Sequence, residues 1–208
     1  MTANITDLIG RIAQWLVTPQ KPDGHSLPPL HINEAGWLEG EGVVLVPSHP
    51  TWYYPKLSTP SGDPLAIVCH ASATRHGTAM TMAKNRQRPR TDKDRPASWH
   101  ISVEDGLIVQ QASCEVGCWH AVGNIKGAGP ANRVSVGIEL VGFEKGPWPE
   151  GQVRTAMRVW RAIVQSYGIK RVLAMVPHAV LDPKRRSDPG KVWMSQHAQT
   201  VLDYAFRV

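Results

Sequence analysis

Apolar residues recur at two spacings along this chain, and the change of spacing marks the change of element. After Pro149-Glu150, residues Val153, Ala156, Met157, Trp160, Ile163, Val164 and Tyr167 fall at i, i+3, i+4, i+7 intervals up to Gly168. That pattern predicts a long amphipathic helix stopped by a glycine. A closing helix is expected from about Ser195 to Phe206, with Ala198, Val201, Leu202, Ala205 and Phe206 on one face and His197 at the surface. Near the start, Ile5, Leu8, Ile9, Ile12, Ala13 and Leu16 share a face, with Arg11 as the one cation on the polar side. This fits an arm packed on the domain better than a membrane-surface helix. A further short helix is expected from Thr78 to about Asn85.

Other stretches read as strands. Leu65-Ala66-Ile67-Val68-Cys69 is a continuous apolar run, of the kind found in a strand covered on both faces, and it ends at His70. Ile169 to Val176 reads as a second buried strand leading into Pro177-His178. In Val134 to Val141 the pattern alternates instead. Val134, Val136, Ile138 and Leu140 share one face, and Ser135, Gly137, Glu139 and Val141 the other. Trp99 to Val103 and Leu107 to Gln110 flank Glu104-Asp105-Gly106, a hairpin signal. Val43 to Val46, after Gly40-Glu41-Gly42, is the one convincing strand before residue 60. The expected fold is α/β, a mixed central β-sheet flanked by helices, as a single domain over residues 61–208. Nine of the seventeen prolines lie between Pro19 and Pro64, so residues 1–60 are set apart as an N-terminal extension.

Composition narrows the setting. With 208 residues, 42% of them hydrophobic and 19% charged, the chain can bury one substantial core. No apolar run is long enough to span a bilayer, and the N-terminus lacks a basic region followed by an apolar stretch and a cleavage site. The chain is therefore expected to be made in the cytoplasm without a signal peptide. Cys69, Cys114 and Cys118 are an odd number in a chain too large to need staples, and are read as reduced. The formal charge of +6 favours an anionic partner. The densest basic run, Lys84 to Arg95, has six cations against two aspartates, with no interleaved aromatics and no accompanying nucleic-acid motif. It reads as a solvated loop, and no nucleic acid is expected as partner. Cys114, Cys118 and His120 form a lone C-x3-C-x-H without a matching half, so ordinary buried thiols are the simpler reading.

The chemistry begins in the run Val176 to Gly190. His178 and Asp188 lie ten residues apart on a stretch stiffened by Pro177, Pro183, Pro189 and Gly190, and two ligand-type side chains on one such loop point to a metal. An ion with open chemistry takes about three protein ligands, so a third is expected elsewhere. His70, at the end of a central strand and followed by Ala71-Ser72-Ala73, sits where α/β proteins commonly place functional groups, although an isolated histidine there is more often structural. Glu139 projects beside Gly137, whose missing side chain leaves room for a ligand to approach the sheet. The plain alternative is a solvated glutamate on an edge strand. These elements place His70, Glu139, His178, Arg186 and Asp188 at strand ends, on an open strand face or in the loop after a strand, where they can converge.

At this point the residues resemble the zinc-dependent N-acetylmuramoyl-L-alanine amidases of type 2, which share their fold with bacteriophage T7 lysozyme and the peptidoglycan recognition proteins. The matching pieces are Ile67 to Ala73, Ser98-Trp99-His100-Ile101 with Asp105-Gly106 and Gln110, Cys118-Trp119-His120-Ala121, Val136 to Leu140, and His178 through Arg185-Arg186-Ser187-Asp188-Pro189-Gly190. They run in family order over about residues 65–195. The resemblance implies that His70, His178 and Asp188 hold one zinc ion and that Glu139 orients the attacking water and takes its proton. It makes Arg186 the candidate for stabilising the oxyanion, at a place where relatives often carry lysine. A guanidinium can donate there but cannot hand over a proton, and Arg185 is an alternative donor. Ala179, where many relatives have serine or aspartate, is a second departure. Trp119, His120 and His100 are substrate-side candidates, with packing roles as the alternative.

The implied activity is hydrolysis of the amide between N-acetylmuramic acid and L-alanine in bacterial peptidoglycan, and the implied setting is a phage or prophage endolysin. A cytoplasmic wall-recycling amidase or a secreted amidase toxin would look similar. The rival of another class is a non-catalytic peptidoglycan-binding module of the same fold. Such binders typically lack a metal ligand, whereas this chain keeps all three and the glutamate.

Overall fold

The apolar run at Leu65 becomes a central strand in the computed structural model, which describes residues 28–207; the helix expected from Ile5 to Leu16 lies outside them. Strands β1 (Val43–Leu45), β2 (Ala66–Ala71), β3 (Ile101–Val103), β4 (Ile108–Gln110), β5 (Ser135–Leu140) and β6 (Val176–Pro177) form one six-stranded sheet in the order β6-β2-β5-β3-β4-β1. β5 runs parallel to β2 and β3, and β6 parallel to β2. β3 and β4 form the antiparallel hairpin, with β1 parallel to β4 at the edge. The helices are α1 (Ala79–Lys84), α2 (Ala131–Val134), α3 (Glu150–Tyr167), α4 (His178–Leu181), α5 (Lys191–Gln196) and α6 (Ala198–Ala205).

Because side chains alternate along a strand, each face of the sheet collects its own set. Ile67 and Cys69 of β2, Val136, Ile138 and Leu140 of β5, and Ile101 and Val103 of β3 belong to one buried cluster. Ala156, Trp160 and Ile163 of α3 and Val201 and Leu202 of α6 complete it, which is why the stripe on α3 is apolar. Trp160 is fully buried, and its Nε1–H donates to the Ala174 carbonyl at 2.7 Å. α3 stops at Gly168, whose φ of 60° suits a residue without Cβ. On the opposite face a smaller cluster of Ala66, Val68, Ala121, Ile125, Ala131, Val134 and Val176 covers one end of β2. The candidate site residues His70 and Glu139 lie beyond it, at the carboxyl end of the same face. Among the described residues no helix is long and apolar enough to cross a membrane.

The structure departs from the sequence reading in three places. Ile169 to Val176 is not a strand. Lys170 and Arg171 interrupt its apolar run and Val172 is exposed, so the chain makes a 3-10 turn at Arg171–Leu173 and only Val176–Pro177 pairs with β2. Val134 closes α2 and joins the smaller cluster, not the face of Val136. The closing helix forms as α6 with its expected buried face, but it starts at Ala198, because Ser195 and Gln196 belong to α5 and the two helices meet at His197. Within the segment set apart as 1–60, the strand expected at Val43 forms as β1 at the edge of the main sheet, and Tyr53–Tyr54 pairs with Gly117–Cys118. Prolines and glycines cut residues 28–60 into strands of two or three residues, too short to show a period.

Candidate active site and metal centre

Three parallel strands deliver the site. The register sets Glu139 of β5 beside His70 of β2, on the same face. Pro177 of β6 pairs with Cys69, so the next residue, His178, leaves the sheet next to His70. His178 opens α4 and does not sit in an open loop. The chain then turns at Asp182, whose carbonyl accepts the N–H groups of Arg185 and Arg186, and returns so that the Asp188 carbonyl accepts the Ala179 N–H at 3.0 Å. Ser187 Oγ donates to Glu144 Oε2 at 2.6 Å, bracing this loop against the segment after β5.

The outcome is a triangle of ligand-type atoms. His70 Nδ1 and His178 Nδ1 lie 3.0 Å apart, His178 Nδ1 and Asp188 Oδ2 3.1 Å, and His70 Nδ1 and Asp188 Oδ2 3.3 Å. All three residues are buried, and they are the one such His/Cys/Asp/Glu group among the described residues. Each Nδ1 has a single in-plane lobe, so protons cannot satisfy all three edges at once. A divalent ion can. Tetrahedral arms of roughly 2.0–2.1 Å, typical for zinc with nitrogen and oxygen ligands, give edges of about 3.3–3.4 Å, close to the observed triangle. Burial pushes His70 down to about 4, against the pull of Asp188. For Asp188, burial works upward, but the hydrogen bonds of His178 and His70 outweigh it and hold the carboxyl below the usual range. A neutral imidazole beside an ionised carboxylate is the state metal binding needs.

Glu139 opens onto the same cleft, of about 500 Å³, which is also lined by His70, His178 and Asp188. Its Oε2 is buried with no hydrogen-bond partner. Burial, and then the Asp188 charge, raise its pKa to about 8, while Arg186 and Arg86 pull it down. An unpartnered buried carboxylate of raised basicity is suited to take a proton from a bound molecule. Arg186 lines the cleft and has no salt bridge among the described residues, whereas Arg185 is paired with Asp182 at 2.6 Å.

The three substrate-side candidates separate. Trp119 lines the cleft, edge-on to Tyr54 at 5.1 Å between ring centres. His100 does not line it. It is fully buried, its Nε2 lies 2.9 Å from the Val116 carbonyl and its Nδ1 accepts the Gly137 N–H at 2.9 Å, so it is a satisfied core histidine. His120 borders the cleft but sits against His70, with His70 Nε2 and His120 Nδ1 3.1 Å apart. It also fills the space beside Gly137 that the sequence reading reserved for a ligand. A Cβ on Gly137 would stand 2.5 Å from the His120 ring. Cys114 and Cys118 are free and buried, and burial pushes the Cys118 thiol up to about 12.

The basic run is not simply a solvated loop. The Arg86 guanidinium lies between the rings of Trp52 and Trp99, at 5.0 and 4.9 Å, and its Nε donates to the Ala97 carbonyl. Arg90 stacks on Trp119 at 4.9 Å. Such contacts contribute roughly 0.5–2 kcal/mol each. The aromatics come from three distant segments, so no local spacing announced them.

In the metal-free protein these shifts set how stability varies with pH. His70 and His100 are both lowered from 6.5 to about 4, chiefly by burial. As pH falls through that window the unfolded chain binds protons that the folded one does not, and stability is lost. Glu139 is raised from 4.5 to about 8, so stability is also lost as pH rises through its window. His120 and His197 are lowered by burial as well, so between 4.5 and 6.5 the histidines together outweigh the one carboxylate. Urea unfolding of chelator-treated protein should therefore show a maximum near pH 6.5, with a loss on the order of 2 kcal/mol by pH 8 and a steeper loss toward pH 4.5. A monotonic profile would contradict these assignments.

Comparison with known proteins agrees with the geometry. Residues 60–191 match the family model described as N-acetylmuramoyl-L-alanine amidase. The protein 1,6-anhydro-N-acetylmuramyl-L-alanine amidase AmpD of Haemophilus influenzae is 32% identical over 96 residues, which cover 45% of this chain and 52% of that protein. AmpD of Salmonella typhimurium is 35% identical over 89 residues, covering 41% and 46%. The chain thus spans about half the length of the curated relatives it matches. Among solved structures, a selenomethionine AmpD derivative superimposes with a TM-score of 0.57 and 25% identity, over 76% of this chain and 92% of that one. A mutant endolysin from Bacillus subtilis gives 0.60 and 22%, over 80% and 99%, and shares the fold.

Proposed function

Because the chain belongs to the type 2 N-acetylmuramoyl-L-alanine amidases, we propose that it hydrolyses the amide between the lactyl carbonyl of N-acetylmuramic acid and the L-alanine of the stem peptide, with one zinc ion held by His70, His178 and Asp188. The observation that carries this reading is the buried His70–His178–Asp188 triangle opening onto the same cleft as the unpartnered Glu139 Oε2.

When bound, zinc supplies Lewis acidity toward the scissile carbonyl and the attacking water. Glu139 takes one proton from that water as its oxygen bonds to the carbonyl carbon. It then returns that proton to the alanine nitrogen as the C–N bond breaks, and the second water proton, left on the new carboxyl group, passes to the freed amine, giving a carboxylate on the sugar and an ammonium on the peptide. Arg186 offers N–H donors to the carbonyl oxygen as charge develops on it. Trp119 and Trp99 wall the cleft and limit water around the reacting groups. If Arg186 contributes charge alone, Arg186→Lys keeps most of kcat, while Arg186→Ala lowers it by about 10²–10³-fold. A large loss in Arg186→Lys would show that the planar guanidinium matters.

The cationic chain, with Arg90 and Arg186 near the cleft, favours an anionic wall polymer and therefore an endolysin. The likeness to AmpD favours soluble 1,6-anhydro-muropeptides. Rates on purified sacculi and on soluble anhydro-muropeptides decide between them. Preference for sacculi supports the endolysin, preference for the soluble substrate supports recycling, and no activity on either sinks the amidase reading.

A further inference from the structure

His120 lies where its sequence motif placed a substrate contact, yet its bonds run into the protein. Ser135 Oγ donates its one hydrogen to the Ala131 carbonyl at 2.7 Å. His120 Nε2, 3.4 Å from that same Oγ, can then only be a donor to it. A neutral His120 with its proton on Nε2 has a bare lone pair on Nδ1, which faces His70 Nε2 at 3.1 Å. His70 must therefore carry its proton on Nε2, leaving Nδ1 unprotonated toward His178 and Asp188. The direction of every bond in this chain follows from one backbone carbonyl.

Two further features hold the imidazole in place. Asn132 Oδ1 accepts the backbone N–H groups of both His120 and Ala121, at 2.8 and 2.7 Å. Gly137 provides the seat, since any Cβ there would overlap the ring. A metal-binding histidine usually donates its second N–H to a carboxylate, a backbone carbonyl or water. Here a neutral imidazole is the acceptor, so the arrangement adds no negative charge behind the ligand.

We infer that His120 is a positioning residue for the metal centre: seated on Gly137 and oriented through Ser135, it accepts the His70 Nε2–H and so presents His70 Nδ1 as a ligand. The inference rests on the zinc reading above. It is tested by titrating Zn²⁺ against a chromophoric chelator for the wild type, His120→Phe and His120→Asn, with ¹⁵N NMR of the His70 ring in the metal-free wild-type protein. His120→Phe fills the seat without an acceptor and should weaken Zn²⁺ binding about 10–100-fold. His120→Asn places an oxygen near the former Nδ1 and should restore most of that loss. NMR should show the His70 proton on Nε2, which keeps the test decisive if His120→Phe fails to fold. Unchanged Zn²⁺ affinity in His120→Phe with a raised KM would overturn the inference and return His120 to the substrate side. A His70 proton on Nδ1 would overturn it as well. No tight site in the wild type would instead overturn the zinc reading itself, and this inference with it.

Discussion

Glu139→Gln is expected to lower amide hydrolysis by about 10²–10⁴-fold while zinc binding and the fold persist. The substitution keeps the shape of a side chain whose Oε2 is buried without a partner, and removes only its ability to take a proton. That Oε2 makes no structural bond argues that little stability is lost. The amide cannot ionise, so it also avoids the buried charge that Glu139 acquires as pH rises through about 8, where burial and Asp188 have raised its pKa. Circular dichroism, zinc titration and muropeptide turnover measured on the same preparation check all three statements. Activity within a few-fold of wild type would remove Glu139 from the mechanism.

Asp188→Asn should abolish tight zinc binding and activity together. Asp188 is the one anion in the triangle, and its Oδ2 lies 3.1 and 3.3 Å from the two imidazole nitrogens. The amide preserves volume but removes the charge that offsets a buried dication. The loss of affinity should exceed the roughly 10–100-fold that removing an outer-shell partner costs. A direct readout is thermal or urea unfolding with and without zinc. At a free ion concentration about 100 times the wild-type Kd, the wild type should gain about 2.7 kcal/mol, and Asp188→Asn almost nothing. Equal gains would place the ion elsewhere.

Much of the architecture could be read from the chain because its signals are local. The stripe on α3 and its stop at Gly168, the apolar run of β2, and the Asp105-Gly106 hairpin each lie within a few residues. His70, Glu139, His178 and Asp188 stand out by residue type at a strand end, on an open strand face and in the loop after a strand; the parallel register of β6, β2 and β5 brings the first three together, and the turn at Asp182 returns Asp188 to them. What stayed hidden depends on distant partners. Gly137 was recognised as a gap, but that His120 fills it follows only from the packing of a loop against β5. Nothing in the spacing of Lys84 to Arg95 foretold Trp52, Trp99 and Trp119 as partners of its arginines. His100 shared a motif with site residues, yet its two backbone hydrogen bonds make it part of the core. Ile169 to Val176 failed for another reason: hydrophobicity alone does not distinguish a covered strand from a turn that buries only Ile169, Ala174, Met175 and Val176.

The central claim is that this cleft cuts one particular bond with one ion and one carboxylate. Mass spectrometry of purified muropeptides incubated with zinc-loaded protein, beside chelator-treated and Glu139→Gln samples, tests it most directly. The account predicts free stem peptides beginning with L-alanine and glycans bearing intact lactyl groups, from the zinc-loaded wild type alone. Cleavage within the glycan or a peptide cross-bridge, or equal release after metal removal, would contradict it.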